Sequence, residues 1–462
     1  MKALLKKIVP KSILNVGHLF YAWFGAMRYR HPSEKLFVIG VTGTSGKSTT
    51  VFLLRQFLEA AGYVVGSLST IDFSIAGKNR LNDQKMTMLG KMQIQKYLRE
   101  MVESRCQIAI IETTSEGRVQ HRHRWIAYDA MVLTNLYPEH IESHGSFKKY
   151  KQAKLDIFYN AARYRAGRKN AETIGFPNLK KKNSTSLQKM CFVNGDIAEA
   201  EEFLSAGSFD ARYVFGTRKT SDLSIGYFQL SNIQTEKNGI SFLIQNKRFE
   251  TPLFGRHNAM NMTAAVAVAE TVGVSASLLQ KKAKILEQIP GRIEFIAESR
   301  PFGFDVIVDY AFEPKAMEAL YGVVLQREPK RIIHVFGSTG GGRDKARRQI
   351  LGAYIGERAN LCIITDEDPY DENPLDIINT VFEAVRQTGK QEGKSVWKIF
   401  DRRDAIEKAV GLAAPGDLVL ITGKGSEQAM CVAHGKKIPW DDRAIVRQAL
   451  EKRKKLCHEH QK

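Results

Sequence analysis

The stretch Phe37–Leu54, FVIGVTGTSGKSTTVFLL, decides the fold. A short apolar run ends in glycine, a glycine- and hydroxyl-rich loop follows, and helical periodicity begins near Lys47. Strand, loop and helix in that order let backbone N–H groups and a helix N-terminus cradle a phosphate. The strict phosphate-loop spacing needs a glycine five residues before the Gly46-Lys47 pair. Val41 stands there, and glycine appears at Gly40 and Gly43 instead. The loop Gly43, Thr44, Ser45, Gly46, Lys47, Ser48 and Thr49 is therefore a candidate nucleotide site in a variant register. Lys47 would neutralise the β- and γ-phosphates, and the Ser48 hydroxyl would bind Mg²⁺.

A chain of 462 residues is too long for one ordinary core and suggests two or three domains. With 43% hydrophobic and 26% charged residues it is a soluble, globular mixture. Its 69 Lys and Arg against 49 Asp and Glu give a net charge of +20. That excess favours acidic partners, whether nucleic acid, anionic lipid or phosphorylated metabolites, and does not choose among them. The 5 cysteines are far apart and form no C-x-x-C pair, so neither a zinc ribbon nor a disulfide framework is indicated. The pattern suits a reducing compartment, the cytoplasm.

Residues 1–35 form an apolar-basic segment, with an apolar-aromatic run from Ile13 to Met27 flanked by lysines and by Arg28 and Arg30. The run is shorter than the roughly 20 residues a spanning helix needs. Two readings stay open. The segment packs on its own domain, or it lies on an anionic membrane surface with aromatics in and lysines out, which would put the protein at the inner face of the membrane.

From Leu36 onward, strands alternate with helices, which indicates a doubly wound, mainly parallel sheet. The basic stretch Arg163–Asn183 reads as solvated surface, and Tyr213–Thr251 as a small antiparallel element. A boundary falls near IPGRIEFI (Ile289–Ile296), followed by a second α/β set of strands ending in polar or glycine-rich turns. The expected organisation is residues 36–288 as a central P-loop ATP-binding domain and 289–462 as a smaller Rossmann-like domain.

Other residues fit a metal-phosphate site. Glu112 ends the apolar strand IAIIE, where an acid can reach Mg²⁺ beside the loop. Glu139, His140 and His144 follow another strand end. Taken alone, His140 is more simply a surface histidine, and Lys154 a solvated helix lysine.

These blocks together resemble the Mur ligases, ATP-dependent enzymes that build the peptide of bacterial cell walls. VTGTSGKSTT looks like their variant loop, with Ser45 a mild departure. LTNLYPEHIESHGSFKKYKQAKLDIF, FGRHNAMNMTAAVAVA, IPGRIEFI, VDYAFEPKAM, FGSTGGGRDKARR and ITGKGSEQ match further blocks in order, from about Leu36 to the C-terminus. GRDKARR and GKGSEQ favour the MurE type, which adds the third peptide residue to UDP-N-acetylmuramoyl-dipeptide.

The resemblance implies a chemistry and its residues. A substrate carboxylate attacks the γ-phosphate of ATP, and an amine then displaces phosphate from the acyl phosphate. Lys47 would hold the phosphates, Ser48 and Glu112 one Mg²⁺, and His140 a second. Lys154 matches the family lysine that becomes carbamylated, a metal partner in that form. Asn261 matches the adenine contact, and Arg292 and Asp344 match positions at the nucleotide, with Asp344 on the ribose side. Thr114, Ser115 and Arg122 fall in the acceptor block, and Glu367, Asp368, Tyr370, Glu372, Gly423 and Glu427 in the amino-acid block.

Three departures qualify the match. About 35 residues precede the loop, too few for the uridine-nucleotide domain that MurE-type enzymes carry. The family's S-S-H reads Thr114-Ser115-Glu116. Its D-N-P-R block reads EDPY, so the arginine that pairs with diaminopimelate is replaced by Tyr370, which offers no bidentate cationic fork. Lysine or another diamino acid becomes the expected substrate, beside a sugar-peptide acceptor, in a monomer. A lipid-linked acceptor, a folylpolyglutamate-synthase-like ligase and a nucleic-acid-stimulated ATPase are the alternatives. The last is disfavoured because no aromatic-basic platform is evident, and no nucleic-acid partner is expected.

Overall fold

The computed structural model describes residues 11–138, 144–164, 169–181, 184–218, 224–236, 238–342 and 345–459. They fall into two units, one running to Leu286 and one starting at Glu287.

Among the described residues the first unit carries an 11-stranded sheet. Its strands are β1 (Phe37–Thr42), β2 (Val65–Leu68), β3 (Asp72–Ile75), β4 (Lys78–Leu81), β5 (Ile108–Glu112), β6 (Ala130–Leu133), β7 (Met190–Asn194), β8 (Ala211–Gly216), β9 (Gly226–Glu236), β10 (Gly239–Ile244) and β11 (Lys247–Thr251). Their order is β11-β10-β9-β8-β7-β6-β1-β5-β2-β3-β4. Its helices are α1 (Lys11–Arg28), α2 (Lys47–Ala60), α3 (Lys91–Glu103), α4 (Ser115–Val119), α5 (Phe147–Arg163), α6 (Ala200–Leu204), α7 (Arg256–Thr271) and α8 (Ala276–Lys284).

β1 is buried along its whole length, as a near-continuous apolar run in a parallel sheet must be. It pairs in parallel with β5 and β6, and the register sets Val41 beside Glu112 and Thr42 beside Leu133. The loop after β1, the acid ending β5 and the turn after β6 are thereby brought to one sheet edge. Val38, Ala109, Ile111, Met131 and Leu133 share a face packed by Leu98 of α3, Phe158 of α5 and Phe203 of α6. Phe37, Ile39 and Val41 alternate to the opposite face, where α2 lies, buried almost throughout from Ser48 to Leu58.

Two expectations change. β9, β10 and β11 are antiparallel, but they extend the main sheet through the parallel β8–β9 pair. The stretch from Lys169 to Lys181 is not simply solvated. Ala171, Phe176 and Leu179 are buried, and Lys169 forms a buried ion pair with Asp129, whose carboxylate also accepts from the Val38 N–H. Apolar residues three to five apart inside a basic run anchor it.

α1 packs by its small side. Ala22 and Ala26 are buried, and a Cβ on Gly25 would lie 3.3 Å from the Met92 Cα on α3. The larger side chains of α1, Phe20 (55% exposed), Tyr21, Trp23 and Phe24, face outward. Among the described residues no helix is long and apolar enough to cross a membrane.

Among the described residues the second unit holds a 6-stranded sheet of β12 (Glu294–Phe295), β13 (Asp305–Asp309), β14 (Ile332–Phe336), β15 (Leu361–Ile364), β16 (Val396–Lys398) and β17 (Leu418–Thr422), ordered β12-β13-β17-β14-β15-β16. All pairs but β12–β13 are parallel. A small hairpin joins β18 (Ala429–Cys431) to β19 (Lys437–Pro439). The helices are α9 (Pro314–Leu325), α10 (Ala346–Arg358), α11 (Pro374–Arg386), α12 (Arg402–Leu412) and α13 (Asp442–Glu459). Both units thus have the expected doubly wound α/β character.

Candidate active site

The variant loop is held by contacts that only glycine permits. Gly46 has a φ of +75°, and a Cβ there would sit 2.2 Å from Oδ1 of Asn261 on α7. A Cβ on Gly43 would sit 1.9 Å from the Thr134 Oγ1. The missing Cβ atoms let the loop backbone pack directly against the Asn261 and Thr134 side chains. Asn135 clamps the loop: its Oδ1 accepts from the Thr44 and Ser45 N–H groups at 3.0 and 2.9 Å. The Tyr150 hydroxyl donates to the Thr44 Oγ1 at 3.1 Å. The Lys47 ammonium folds back over the loop, donating to the carbonyls of Gly43 and Thr44 at 3.1 and 2.8 Å.

Beside the loop, Glu112 is 1% exposed. Its Oε2 accepts from the Ser48 hydroxyl at 2.8 Å, the Thr70 N–H at 2.8 Å and the Thr70 hydroxyl at 3.0 Å. A carboxylate facing a hydroxyl at a helix N-terminus is the hard-oxygen donor pair that Mg²⁺ takes, with phosphate oxygens and water filling its other positions. Among the described residues no cluster of three or more His, Cys, Asp or Glu could hold a metal.

Lys154 is not a solvated helix lysine. It is 1% exposed, and α5 aims its Nζ at the Gly43 carbonyl, 2.7 Å away. Its ammonium also lies 4.7 Å from the centre of the Tyr150 ring. His144, in the turn before α5, shares its Nε2 with the Ser115 Oγ at 3.1 Å and packs edge-on against Tyr150. Burial pushes the His144 imidazole below its ordinary value, and Lys154 and Arg118 push the same way while Glu116 opposes them. Thr114 caps α4 by accepting from the Gly117 N–H. Arg122 follows α4 and donates to the Met88 carbonyl and the Gln120 Oε1.

Lys47, Ser48, Glu112, Lys154 and Asn261 are thus brought to the loop, with Thr114, Ser115 and Arg122 on the next segment of that edge. Thr49 is buried in the first turn of α2. His140, with Glu139, and Asp344 lie outside the described residues. Asn135, Tyr150 and Thr70 were not singled out from sequence. Asn135 and Tyr150 sit inside quoted motif blocks, which was their only signal.

In the second unit, Arg292 stacks over the Tyr310 ring at 4.1 Å. Asp368 and Glu427 converge on one lysine: Lys424 donates to Asp368 Oδ1 at 3.0 Å and to Glu427 Oε2 at 2.8 Å. Tyr310 adds a bond to Glu427 Oε1. Glu372 pairs with Arg348 at 2.9 Å. Glu367 is buried and accepts from the Thr339 hydroxyl. Burial raises its pKa, with Asp368 adding to the rise and Arg402 and Lys424 opposing it. Gly423 gives way to it, since a Cβ there would lie 2.2 Å from the Glu367 Oε2. Tyr370 adopts a φ of +52°, its N–H bonded to the Cys431 carbonyl. These acids therefore form a tied lattice rather than a loose acidic loop.

Residues 41–269 match the Mur ligase middle domain and residues 291–425 the Mur ligase glutamate ligase domain. The chain is 33% identical over 457 residues to a UDP-N-acetylmuramyl-tripeptide synthetase of Roseiflexus sp. (strain RS-1), covering 96% of this chain and 83% of that protein. A protein of the same name from Borreliella burgdorferi is 30% identical over 435 residues, covering 93% and 80%. A solved UDP-N-acetylmuramoyl-L-alanyl-D-glutamate–2,6-diaminopimelate ligase superposes with a TM-score of 0.57 at 25% identity, covering 90% and 79%. A Mycobacterium tuberculosis folylpolyglutamate synthase shares the fold, with a TM-score of 0.62 at 17% identity over 88% and 92% of the two chains.

Proposed function

Because the chain belongs to the Mur ligase family, we propose that it joins an amino acid to a muramoyl-peptide cell-wall precursor in an ATP-dependent amide-forming reaction of the MurE type. The observation that carries this reading is the convergence of Lys47, Lys154, Ser48 and Glu112 on one loop.

The acceptor's carboxylate attacks the γ-phosphorus of ATP, ADP leaves, and an acyl phosphate forms. The amine of the incoming amino acid then attacks the acyl carbon, phosphate leaves, and the amine's proton is lost. The loop amides and Lys47 bind and orient the phosphates, which is most of the catalytic task in phosphoryl transfer. Ser48 and Glu112 would hold one Mg²⁺, and His140 and Lys154, the latter as its carbamate, a second. Bound Mg²⁺ neutralises phosphate charge and polarises the transferred group. Carbamylation would turn a buried cation beside Lys47 into an anion, relieving like-charge repulsion. Asn261 would meet the adenine, and Arg292 and Asp344 the rest of the nucleotide. The amino acid would be lysine or another diamino acid, with Glu367, Asp368, Tyr370, Glu372, Gly423 and Glu427 around it.

The exposed aromatics of α1, with its flanking lysines and Arg28, support a contact with an anionic membrane surface. That favours a lipid-carried acceptor as the second reading. Incubation with ATP, Mg²⁺, lysine and muramoyl-dipeptide on either carrier should release phosphate only when acceptor and amino acid are both present. Absence of amino-acid-dependent phosphate release with every acceptor would sink the reading.

A further inference from the structure

α1, α3 and the turn after α4 bring together a set of basic side chains that the loop chemistry does not use. Lys91 opens α3, which runs back from the carboxyl edge of the sheet towards β5, so the head of α3 lies at the edge that carries the phosphate loop. Its Nζ lies 2.7 Å from the Nδ1 of His18 on α1. His18, Ala22, Gly25 and Ala26 fall on one face of α1, and the close approach at Gly25 sets α1 against the head of α3. His121 adopts a φ of +56° after α4, and its Nδ1 is buried with no hydrogen-bond partner. Arg122, next to it, bonds to a carbonyl and an amide oxygen. Among the described residues neither Lys91 nor Arg122 forms an ion pair, although the charge of Glu116 acts on Arg122 from farther off. Arg118, by contrast, is paired with Asp156.

Such a grouping is costly by itself. Burial, and then the charge of Arg122, pulls the Lys91 amine down to about 8. Burial, then Arg124, Arg118, His18 and Lys91 in turn, pushes the His121 imidazole below its ordinary value. Neighbouring positive charge depresses the charged forms of Lys91 and His121, and a bound anion would favour those forms and so oppose that effect. The donors are several, short-stemmed or clamped, and project from three separate segments. That suits an anion spread over many oxygens, which takes several charge-assisted bonds at once.

We propose that His18, Lys91 and His121, beside Arg122, cradle the diphosphate of the acceptor's carrier. The assignment rests on the muramoyl-peptide ligase reading and gives α1 a part in acceptor binding. A nucleotide-linked and a lipid-linked sugar-peptide both present this group, so the shared ligand is a diphosphate diester.

The test uses the full chain and the acceptor muramoyl-dipeptide in three forms: on uridine diphosphate, on a short polyprenyl diphosphate, and as a methyl glycoside lacking diphosphate. Lys91→Ala and His121→Ala should each raise KM about 10-fold or more for the diphosphate acceptor that is used, with kcat within about 2-fold. KM for the methyl glycoside should stay put, Lys91→Arg should retain most of the affinity, and Lys96→Ala, on the exposed side of α3, should behave as wild type. Loss confined to one carrier identifies that carrier. Equal KM shifts with the methyl glycoside, or no shift at all, overturn the cradle. Lys91→Met, which keeps the stem, replaces Lys91→Ala if the latter melts early. If no acceptor turns over, the ligase reading fails separately. The cradle is then tested by calorimetric titration of dimethyl diphosphate with saturating ADP present, where unchanged affinity in Lys91→Ala overturns it.

Discussion

The ammonium groups of Lys47 and Lys154, 107 positions apart in the chain, converge on a single carbonyl oxygen, that of Gly43, at 3.1 and 2.7 Å. One lysine belongs to the helix after the loop and is half-buried. The other comes from α5 and is fully buried. Two lysines from separate elements thus share one backbone acceptor at the loop.

Lys154→Met, close in volume and without charge, should keep the fold and lower turnover by about 10²-fold or more. Phosphate release measured beside a melting curve checks it. If Lys154 acts as its carbamate, small carboxylates added to the variant should restore part of the rate. Full activity in Lys154→Met would remove the residue from the mechanism.

Gly46→Ala should weaken ATP binding and cost about 1–3 kcal/mol of stability, because the residue is left-handed and its Cβ meets Asn261. Asn261→Ala removes the obstructing oxygen. The double variant should therefore lose less than the sum of the two single changes, a coupling that urea denaturation of the four proteins reads directly.

His334, on β14, is wholly buried between the Tyr321 hydroxyl and the Thr422 Oγ1, with its ring against Phe336. Burial, and then the charge of Arg402, holds its imidazole down at about 3, against an ordinary 6.5. The unfolded chain therefore binds a proton that the folded chain refuses as pH falls below 6.5. Stability contributed by neutral His334 is present above 6.5 and is lost progressively towards 3. Between pH 7 and pH 5 this amounts to on the order of 2 kcal/mol. His334→Gln should show a smaller acid-induced loss in urea denaturation, and equal acid sensitivity would contradict the assignment.

Arg402 and Asp442 form a two-pronged pair at 2.8 and 2.7 Å with both side chains fully enclosed. Asp442→Ala leaves a buried guanidinium unpaired, which should cost about 3–5 kcal/mol. Trp440 donates to the same carboxylate at 2.8 Å, so its fluorescence should shift in the native state of the variant and follow unfolding of the second unit.

Much of this was legible in the sequence because it is local. The phosphate loop announces itself through strand, glycine and helix within eighteen residues, and the parallel strands through unbroken apolar runs. Partners distant in sequence were not legible. Asn135 clamps a loop about ninety positions away, and nothing in its own neighbourhood gives that role. The basic run holding Lys169 reads as solvated until Asp129, far upstream, is seen to receive its ammonium. Asp368 and Glu427 look like free acids until Lys424 is found between them. Composition reports how many charges a stretch carries, while folding decides which of them face each other.

The seam of Ala22, Gly25 and Ala26 inverts the usual order of an amphipathic helix, with small side chains inward and rings outward. Its consequence is colloidal. Phe20, Tyr21, Trp23 and Phe24 add little to the interior, so replacing them with serine should barely change the melting temperature. It should, however, alter how the protein behaves at high concentration. One turn and a half of helix thus carries a cluster of exposed rings that the core hardly needs.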